Sequence, residues 1–306
     1  MKNLSKPLII IGSGRSGTTI ISEIVFRHEW LAWPSNYQQK FPALPQINLC
    51  RRLFENGLWH LYGQKRQLNS VSVLNKILFK PGEAYDFWEH ITGPDIDFSR
   101  GFLLNRVAGE KEKEKILKAF SGLVAYQGKK RLAFKITGPA RIGYLQSIFP
   151  DACFVNIVRD PMETIHSWLH VDFWQEQGKN QLWWTGAYSP EEEKWAAENS
   201  SNAEALAALQ YRKLMETTSW EIEKYKVNCL EVRYEDFVEN PEAVINQIIS
   251  FSQLPPSSRV SGYLRNLKIY NPGKNRAGVK NQKNEMLHQI LDGRFEFSSG
   301  LSVEKQ

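Results

Sequence analysis

Four short apolar runs, each followed by a turn and a helical pattern, constrain the fold of this chain more than any other feature. They are Leu8–Ile11, Leu132–Ile136, Cys153–Val158 and Cys229–Arg233, and Trp30–Trp33 is a weaker fifth candidate. Because the runs are continuous rather than alternating, they predict strands that are covered on both faces. Strands and helices that alternate in this way predict an α/β fold, a doubly wound parallel β-sheet flanked by helices.

Two long segments interrupt this alternation, residues 42–130 and residues 170–227. The first contains helical patterns near Leu44–Leu61 and Glu110–Gln127, and the second is mostly helical in pattern and rich in aromatic residues. Segments inserted between the strands of an open sheet usually lie at the carboxyl ends of those strands, where ligands bind. We therefore expect a single domain over residues 1–306, in which both insertions form a helical lid over a ligand site.

The composition is that of a soluble globular protein, with 42% hydrophobic and 24% charged residues. A formal net charge of +6 suits a small polyanionic ligand better than a nucleic acid, so no nucleic-acid partner is predicted. The three cysteines, Cys50, Cys153 and Cys229, lack metal-ligand spacing and are interpreted as core thiols in a reducing compartment. Apolar runs are too short for a signal peptide or a membrane span, so we expect a cytoplasmic protein.

Aromatic residues are numerous, with 10 Trp and 16 Phe. The stretches "FWEH", "WQEQ" and "QLWWTGAY" place several of them beside polar residues. Two interpretations stay open: these residues line a ligand pocket, or they pack beneath a helical cap.

The stretch "GSGRSGTT", from Gly12 to Thr19, follows the first predicted strand and leads into a helix. Such a loop points several backbone N–H groups and the positive end of a helix dipole at one place. Arg15 adds a planar cation that suits phosphate or sulfate oxygens, and Thr18 and Thr19 add hydroxyl donors. The loop therefore predicts a phosphate site on a P-loop-like fold.

Two familiar phosphate sites each lack a second requirement in this sequence. A dinucleotide site needs an acidic residue ~20 residues further on, and "WLAWPSNYQQK" contains none. A triphosphate site needs a lysine where Thr18 stands and a strand that ends in aspartate. The strand "CFVNIV" instead ends at Arg159, before Asp160.

A second polar constellation occurs in "FVNIVRDPMETIHSW". Asp160 can cap a helix, Pro161 suits its first turn, and Glu163 completes a pattern like a capping box. Arg159 at the end of the strand and Ser167 about two turns into the helix could together bind a second anion, away from the first.

These stretches resemble the motifs of sulfotransferases that use 3′-phosphoadenosine 5′-phosphosulfate (PAPS). "GSGRSGTT" resembles their 5′-phosphosulfate loop in its arginine form, and "IVRDPMETIHS" is similar to their 3′-phosphate motif. "VRYEDFVENPE", Val232–Glu242, resembles the strand and turn that follow. The resemblance spans residues 7–250, although only these islands are specific.

The resemblance implies an enzyme that transfers a sulfuryl group in line from PAPS to a hydroxyl or amine, without a metal. The acceptor would be a small molecule, a glycan or a lipid, and adenosine 3′,5′-bisphosphate (PAP) would be the product. The residues implied at the 5′-phosphate are Gly14, Ser16, Gly17, Thr18 and Thr19, with Arg15 as the catalytic residue at the bridging or sulfuryl oxygens.

The resemblance also implies residues at the other end of the donor. Arg159 and Ser167 would bind the 3′-phosphate, and Tyr234 would lie near the adenosine. Arg276, with Gly278 in "NRAGVK", is a weaker match to a C-terminal motif that contacts the 3′-phosphate.

The catalytic base is the part of the pattern that this sequence does not match. Relatives with the arginine-type loop often have a glutamate where this chain has Asn36. The candidate here is His90 in "FWEHITG", with Glu89 beside it, because a neutral imidazole has a suitable pKa. A packed or capping histidine is the alternative interpretation of His90.

Two other classes of function stay open on the sequence alone. One is a nucleotide-dependent enzyme of the kinase or NTPase type, or of the flavin type. The other is a non-catalytic relative that binds PAPS or PAP, which the missing glutamate would favour.

Overall fold

A computed structural model describes residues 4–64, 73–267 and 285–297. Five strands form one parallel sheet in the order β2-β3-β1-β4-β5. They are β1 Leu8–Gly12, β2 Leu31–Ala32, β3 Arg131–Thr137, β4 Cys153–Val158 and β5 Asn228–Arg233. The predicted α/β fold with a parallel sheet is confirmed.

Helices connect the strands and cover the sheet. They are α1 Thr18–Val25, α2 Asn36–Lys40, α3 Arg51–Phe54, α4 Tyr85–Thr92, α5 Glu110–Gln127, α6 Ile142–Ile148, α7 Pro161–Trp168, α8 Asp172–Gln177, α9 Pro190–Glu198, α10 Ala203–Tyr225, α11 Tyr234–Glu239, α12 Pro241–Phe251, α13 Ser258–Arg265 and α14 Glu285–Leu291. Short 3₁₀ helices span Pro45–Cys50 and Val73–Lys76.

The central strand β1 is buried along its whole length and divides the core into two layers. Ile9 and Ile11 point to the layer that contains α5 and α6, whereas Leu8 and Ile10 point to the layer that contains α1 and α12. This alternation follows from the two-residue repeat of a strand. Helices on both faces explain why the strand sequence is continuously apolar.

Strand register brings the carboxyl ends of the strands to one edge of the sheet. Gly12, the last residue of β1, lies opposite Thr137 of β3 and Ile157 of β4. Val158 of β4 lies opposite Arg233 of β5. The loops that follow these strands therefore start side by side.

Strand β5 differs from its prediction as a strand covered on both faces. Most of its residues are half-buried or exposed, because it is the edge strand and pairs only with β4. Cys153 is buried in β4 as expected, whereas Cys229 in β5 is half-buried and Cys50 is exposed.

The helix predicted near Leu44–Leu61 is only partly present. A 3₁₀ helix is followed by the single turn of α3, which ends at Phe54. Asn56 then forms a turn in which its Oδ1 accepts a hydrogen bond of 2.8 Å from the backbone N–H of Leu58. Asn followed by Gly57 favours such a turn over a continued helix. The prediction for Glu110–Gln127 is confirmed by α5.

Aromatic side chains of the second insertion, with Trp168 of α7 just before it, form much of a third core cluster. Trp168 of α7 packs against Trp174 and Trp184, with ring centroids 4.8 Å and 5.6 Å away. In the first insertion, Trp88 stacks on Phe98 at 4.3 Å. These rings are buried, so packing is the better interpretation for them. No helix in the described ranges is both long and apolar enough to cross a bilayer.

Candidate active site

The loop between β1 and α1 depends on a glycine at the start of the helix. Gly17 caps α1 in the left-handed region, with φ of 94°. A Cβ at this position would collide with the ring of Tyr234, the first residue of α11. Tyr234 therefore lies directly against the phosphate-type loop, as a residue near a bound nucleotide would.

Arg15 connects the two polar constellations that the sequence indicated. Its backbone also adopts the left-handed region, with φ of 67°, which is uncommon outside glycine and concentrates at functional sites. Its Nε donates a hydrogen bond of 3.0 Å to Oγ of Ser167 in α7. Arg15 of the first polar constellation and Ser167 of the second are therefore adjacent, although we expected the second anion to bind away from the first.

Arg159 approaches the same loop from the end of β4. Its Nη1 donates a 3.0 Å hydrogen bond to the carbonyl of Arg15, and its guanidinium lies 5.0 Å from the ring centroid of Tyr234. Its own carbonyl accepts from the hydroxyl of Tyr211 at 2.9 Å. Arg15, Arg159, Ser167 and Tyr234, all predicted as donor-binding residues, thus lie together.

The start of α7 orients Arg159 and differs in one detail from the predicted capping pattern. Asp160 caps the helix, accepting 2.8 Å from the N–H of Glu163, and Pro161 is the first helical residue, as expected. The carboxylate of Glu163, however, pairs with Arg159 at 3.2 Å. The Asp160 N–H donates instead to the carboxylate of Glu235 at 2.9 Å, so the Glu163 carboxylate is available to pair with Arg159.

The electrostatics around Arg15 favour an anion. Partial burial lowers the pKa of Arg15, and the positive charge of Arg159 lowers it further. The two positive charges repel each other, and an anion between them would relieve that repulsion. Arg159 has a carboxylate partner in Glu163, whereas Arg15 Nε donates to the neutral hydroxyl of Ser167.

The second insertion contacts the loops at this edge of the sheet. Phe173 lies 3.6 Å from the position that a Cβ of Gly14 would take, and Trp168, just before the insertion, donates a 2.6 Å hydrogen bond to the Gly14 carbonyl. Trp184 packs on Gly138, just after β3, where a Cβ would lie 2.8 Å from the indole nitrogen. The insertion therefore lies at the carboxyl edge, as expected, and its role as a lid over an acceptor remains a prediction.

A lysine inside β3 is a candidate site residue that the sequence did not indicate. Lys135 is fully buried, and its Nζ donates a 2.7 Å hydrogen bond to Oγ1 of Thr19 at the start of α1. The same Nζ lies 3.2 Å from Oε1 of Glu83, whose side chain is 23% exposed. The only sequence signal was a single charged residue within an apolar strand, and buried lysines are normally paired.

The segment that carries Glu83 is fixed to the sheet two residues later. The hydroxyl of Tyr85 donates a 2.5 Å hydrogen bond to the carbonyl of Thr137, the last residue of β3. Burial raises the pKa of Tyr85 to about 12, and the nearby charge of Glu83 adds to this effect. Glu83 is thus held close to the loop that contains Thr19.

The remaining predicted residues lie elsewhere or outside the described residues. His90 is exposed near the C-terminal end of α4, and its carbonyl accepts a 2.9 Å hydrogen bond from Lys115. In the ranges that the structure describes, no hydrogen bond or ring contact joins its imidazole to the loop. Arg276 and Gly278 lie outside the described residues.

Asn36, at the position of the expected glutamate, has a structural role. Its Oδ1 accepts a 2.8 Å hydrogen bond from the N–H of Lys80, and its own N–H donates to the Lys80 carbonyl at 2.9 Å. Among residues 4–64, 73–267 and 285–297, no three His, Cys, Asp or Glu side chains cluster as a metal site would require. Metal independence remains a prediction.

Comparisons with known proteins agree with the fold. The model of the sulfotransferase family matches residues 7–258. Sulfotransferase STF9 from Mycobacterium avium superposes with a TM-score of 0.54 at 17% identity, over 86% of this chain and 67% of that chain.

Two further solved structures are less similar. Sulfotransferase STF1 from Mycobacterium tuberculosis has a TM-score of 0.46 at 13% identity, over 95% of this chain and 78% of that chain. The sulfotransferase domain from the curacin biosynthetic pathway has a TM-score of 0.46 at 15% identity, over 84% and 77% respectively. No curated protein matches the sequence. Because the family model covers most of its length, the chain belongs to the sulfotransferase family.

Proposed function

We propose that this sulfotransferase takes its sulfuryl group from PAPS and transfers it to a hydroxyl or amine of a small-molecule, glycan or lipid acceptor. The observation that carries the proposal is the convergence of Arg15 and Arg159 on the loop before α1. Two guanidiniums, a serine hydroxyl and a helix N-terminus fit a ligand with more than one anionic group.

When bound, PAPS supplies an activated sulfuryl group and, at its other end, a 3′-phosphate. The backbone N–H groups of Gly14, Ser16, Gly17 and Thr18, with the Thr19 hydroxyl, would hold the 5′-phosphate. Arg159 and Ser167 would bind the 3′-phosphate, and the ring of Tyr234 would lie beside the adenosine. Arg15 would leave Ser167 and turn to the sulfuryl end of the site.

The cations of the site would stabilise the charge that develops on the leaving oxygen. Arg15 has this role in the proposal, and Lys135 joins it from β3. Lys135 also bears on the triphosphate alternative. In a nucleotide triphosphatase the hydroxyl equivalent to Thr19 binds Mg²⁺, whereas here that hydroxyl accepts from an ammonium group at 2.7 Å.

We assign the general base to Glu83 rather than His90. Its carboxylate forms an ion pair with Lys135, and the same ammonium group of Lys135 donates a hydrogen bond to the hydroxyl of Thr19. A base must lie within hydrogen-bond reach of the acceptor proton. Glu83 is at the same sheet edge as the loop, and it supplies the carboxylate that Asn36 lacks.

The proposal is tested by thermal stability with PAP beside ADP, Mg²⁺-ATP and FAD. A ligand at 100 times its dissociation constant adds ~2.7 kcal/mol of stability, which is visible as a shift in Tm. PAP should shift Tm clearly, and ADP, which lacks the 3′-phosphate, should shift it much less. Arg159→Ala should remove the difference, whereas Arg233→Ala, at the end of β5, should keep it.

Each alternative predicts a different result. A shift with Mg²⁺-ATP or FAD and none with PAP would overturn the proposal. A PAP shift without turnover on any class of acceptor would indicate the non-catalytic relative instead. The cytoplasmic location inferred from the sequence is kept as part of the proposal, and fractionation of the source cells tests it.

A further inference from the structure

The positive charge of this chain is concentrated in one segment. Residues 31–80 contain seven lysines and arginines and a single acidic residue, Glu55. The net charge of this segment, +6, equals the net charge of the whole chain. The rest of the chain is therefore electrically balanced, and the excess belongs to residues 31–80, which start at β2 and end before Glu83 and α4.

The same segment carries most of the large apolar side chains that face solvent. Leu58 is 86% exposed, Leu53 67% and Leu74 59%. Further exposed members are Phe41, Leu44, Leu49, Trp59, Leu61 and Ile77. Outside residues 31–80, the only other exposed large apolar residues in the described part of the chain are Val107, Trp220 and Met286.

Contacts within the segment connect the stretches that carry several of these side chains. Trp59 Nε1 donates a 2.7 Å hydrogen bond to the carbonyl of Leu53, which sits next to Phe54. Phe54 packs on Phe79 at 5.9 Å, and Phe79 packs on Tyr37 at 4.7 Å. Tyr37 in turn donates to the carbonyl of Ile77 at 2.8 Å. One row of aromatic rings, buried at Phe79 and half-buried at Phe54 and Tyr37, therefore connects the two halves of the segment.

The basic residues remain exposed, whereas the acidic residue does not. Lys40, Arg52 and Lys76 are exposed, in contrast to Glu55, which is 7% exposed. Glu55 is neutralised internally by Arg51, Lys129 and Arg259. We call the exposed surface the apolar–basic face; it consists of the exposed leucines, Trp59 and Ile77 named above with Lys40, Arg52 and Lys76.

We propose that the apolar–basic face binds the surface of an anionic lipid bilayer. Leucine and tryptophan side chains enter the boundary between head groups and acyl chains, and surrounding lysines and arginines are attracted to anionic head groups. Exposed apolar patches rimmed by charge mark such interaction sites. In the described part of residues 31–80 no acidic residue is exposed, so the exposed charged side chains of this segment are all positive.

The face also leads into the proposed active site. The chain after Ile77 forms an isolated antiparallel bridge between Pro81 and Ser35 and reaches Glu83 within six residues. An enzyme seated on this face would present Glu83 close to the membrane surface. We therefore infer that the acceptor hydroxyl belongs to a lipid head group or to another membrane-resident molecule. This inference on the acceptor rests on the proposed function, whereas bilayer binding itself does not.

The test is sedimentation of the full chain with phosphatidylglycerol vesicles and with phosphatidylcholine vesicles. The wild type should sediment with the anionic vesicles and release at high salt, because the attraction is screened. Leu53→Glu with Leu58→Glu should lower the bound fraction by about tenfold or more. Val107→Glu with Trp220→Glu is the matched control and should leave binding unchanged, since these apolar residues are exposed outside the face.

Failure of this proposal can be separated from failure of the proposed function. The PAP-dependent shift in Tm is measured on the same Leu53→Glu, Leu58→Glu protein, and a normal shift shows that it is folded and still binds the donor product. Equal sedimentation of wild type and variant, or no sedimentation of either, would overturn the membrane assignment. Light scattering that shows a dimer in the wild type and a monomer in the variant would instead assign the face to a second copy.

Discussion

Arg15 Nε and Ser167 Oγ form a hydrogen bond of 3.0 Å although the two residues are 152 positions apart in the sequence. The family resemblance gives them different partners, Arg15 at the sulfuryl end of the donor and Ser167 at its 3′-phosphate. The bond uses only Nε of Arg15 and a lone pair of Ser167, so the Nη groups and the serine O–H can still donate to an anion. Under the proposed roles the two partners lie at different ends of the donor, and we therefore expect donor binding to break this bond.

Ser167→Ala should weaken PAP binding by about tenfold, which corresponds to one hydrogen bond to a charged group at about 1.5 kcal/mol. ADP binding should change little, because ADP has no 3′-phosphate to lose. Calorimetric titration of both nucleotides into wild type and variant measures the difference. An equal loss for PAP and ADP would place Ser167 away from the 3′-phosphate.

Arg15→Ala should lower kcat by ~10²–10³-fold, the usual cost of one oxyanion-stabilising donor. PAP affinity should fall much less, because the loop amides and Arg159 remain. Turnover under saturating donor and a separate titration with PAP distinguish the two effects. Equal losses in turnover and in binding would show that Arg15 binds the donor without acting on the transition state.

Glu83→Gln should lower kcat/KM by ~10²–10⁴-fold, the range for loss of a general base. His90→Gln is the matched comparison, and it should leave the rate near the wild-type value because its exposed imidazole makes no contact with the loop in the described residues. PAP-dependent Tm shifts on both variants confirm that the site is folded. A large loss in His90→Gln and a small one in Glu83→Gln would restore the histidine as the base.

The sheet could be predicted because its information is local. Each of β1, β3 and β4 is a continuous apolar run, and burial on both faces requires that pattern. The predictions for β5 and for the helix near Leu44–Leu61 failed, because neither outcome is set by the apolar pattern alone. At β5 the edge position leaves the strand half-exposed, and at α3 the turn at Asn56 ends a helix that periodicity would continue.

The convergence of Arg15, Arg159, Ser167 and Tyr234 was also predictable, since these residues fall in short stretches at the carboxyl edge of the sheet. Lys135 and Glu83 were missed because neither belongs to a motif. Their relationship arises from β3 lying beside β1 and from Tyr85 fixing the segment of Glu83 to Thr137. Only the folded sheet joins these distant parts of the sequence.

Gly17→Ala should destabilise the protein by about 1–3 kcal/mol, because a left-handed residue with a Cβ is strained and here also collides with Tyr234. Gly14→Ala is the matched control in the same loop. A Cβ there lies 3.6 Å from Phe173 and Trp168, which is an ordinary contact. Chemical denaturation of both variants measures the difference, and similar losses would contradict the assigned loop conformation.

Glu55 should make stability depend on acid pH. Burial alone would raise its pKa, but Arg51 and Lys129 outweigh burial and lower the pKa to about 2. Because the folded-state pKa is below the unfolded value, this contribution is complete above about pH 4.5 and is lost as the pH falls towards 2. The wild type should therefore lose free energy of unfolding across that interval.

Glu55→Gln should lower stability at pH 7 by about 3–5 kcal/mol, because it leaves buried cations unpaired. The same variant should lose less additional stability between pH 4.5 and 2, since its side chain takes up no proton there. Glu198→Gln is the control, an exposed ion pair with Lys194 at 3.9 Å, and should cost less than about 1 kcal/mol. Urea denaturation at a series of pH values compares the three proteins. Parallel pH curves for wild type and Glu55→Gln would contradict the ionised, internally neutralised Glu55 on which the charge of the apolar–basic face depends.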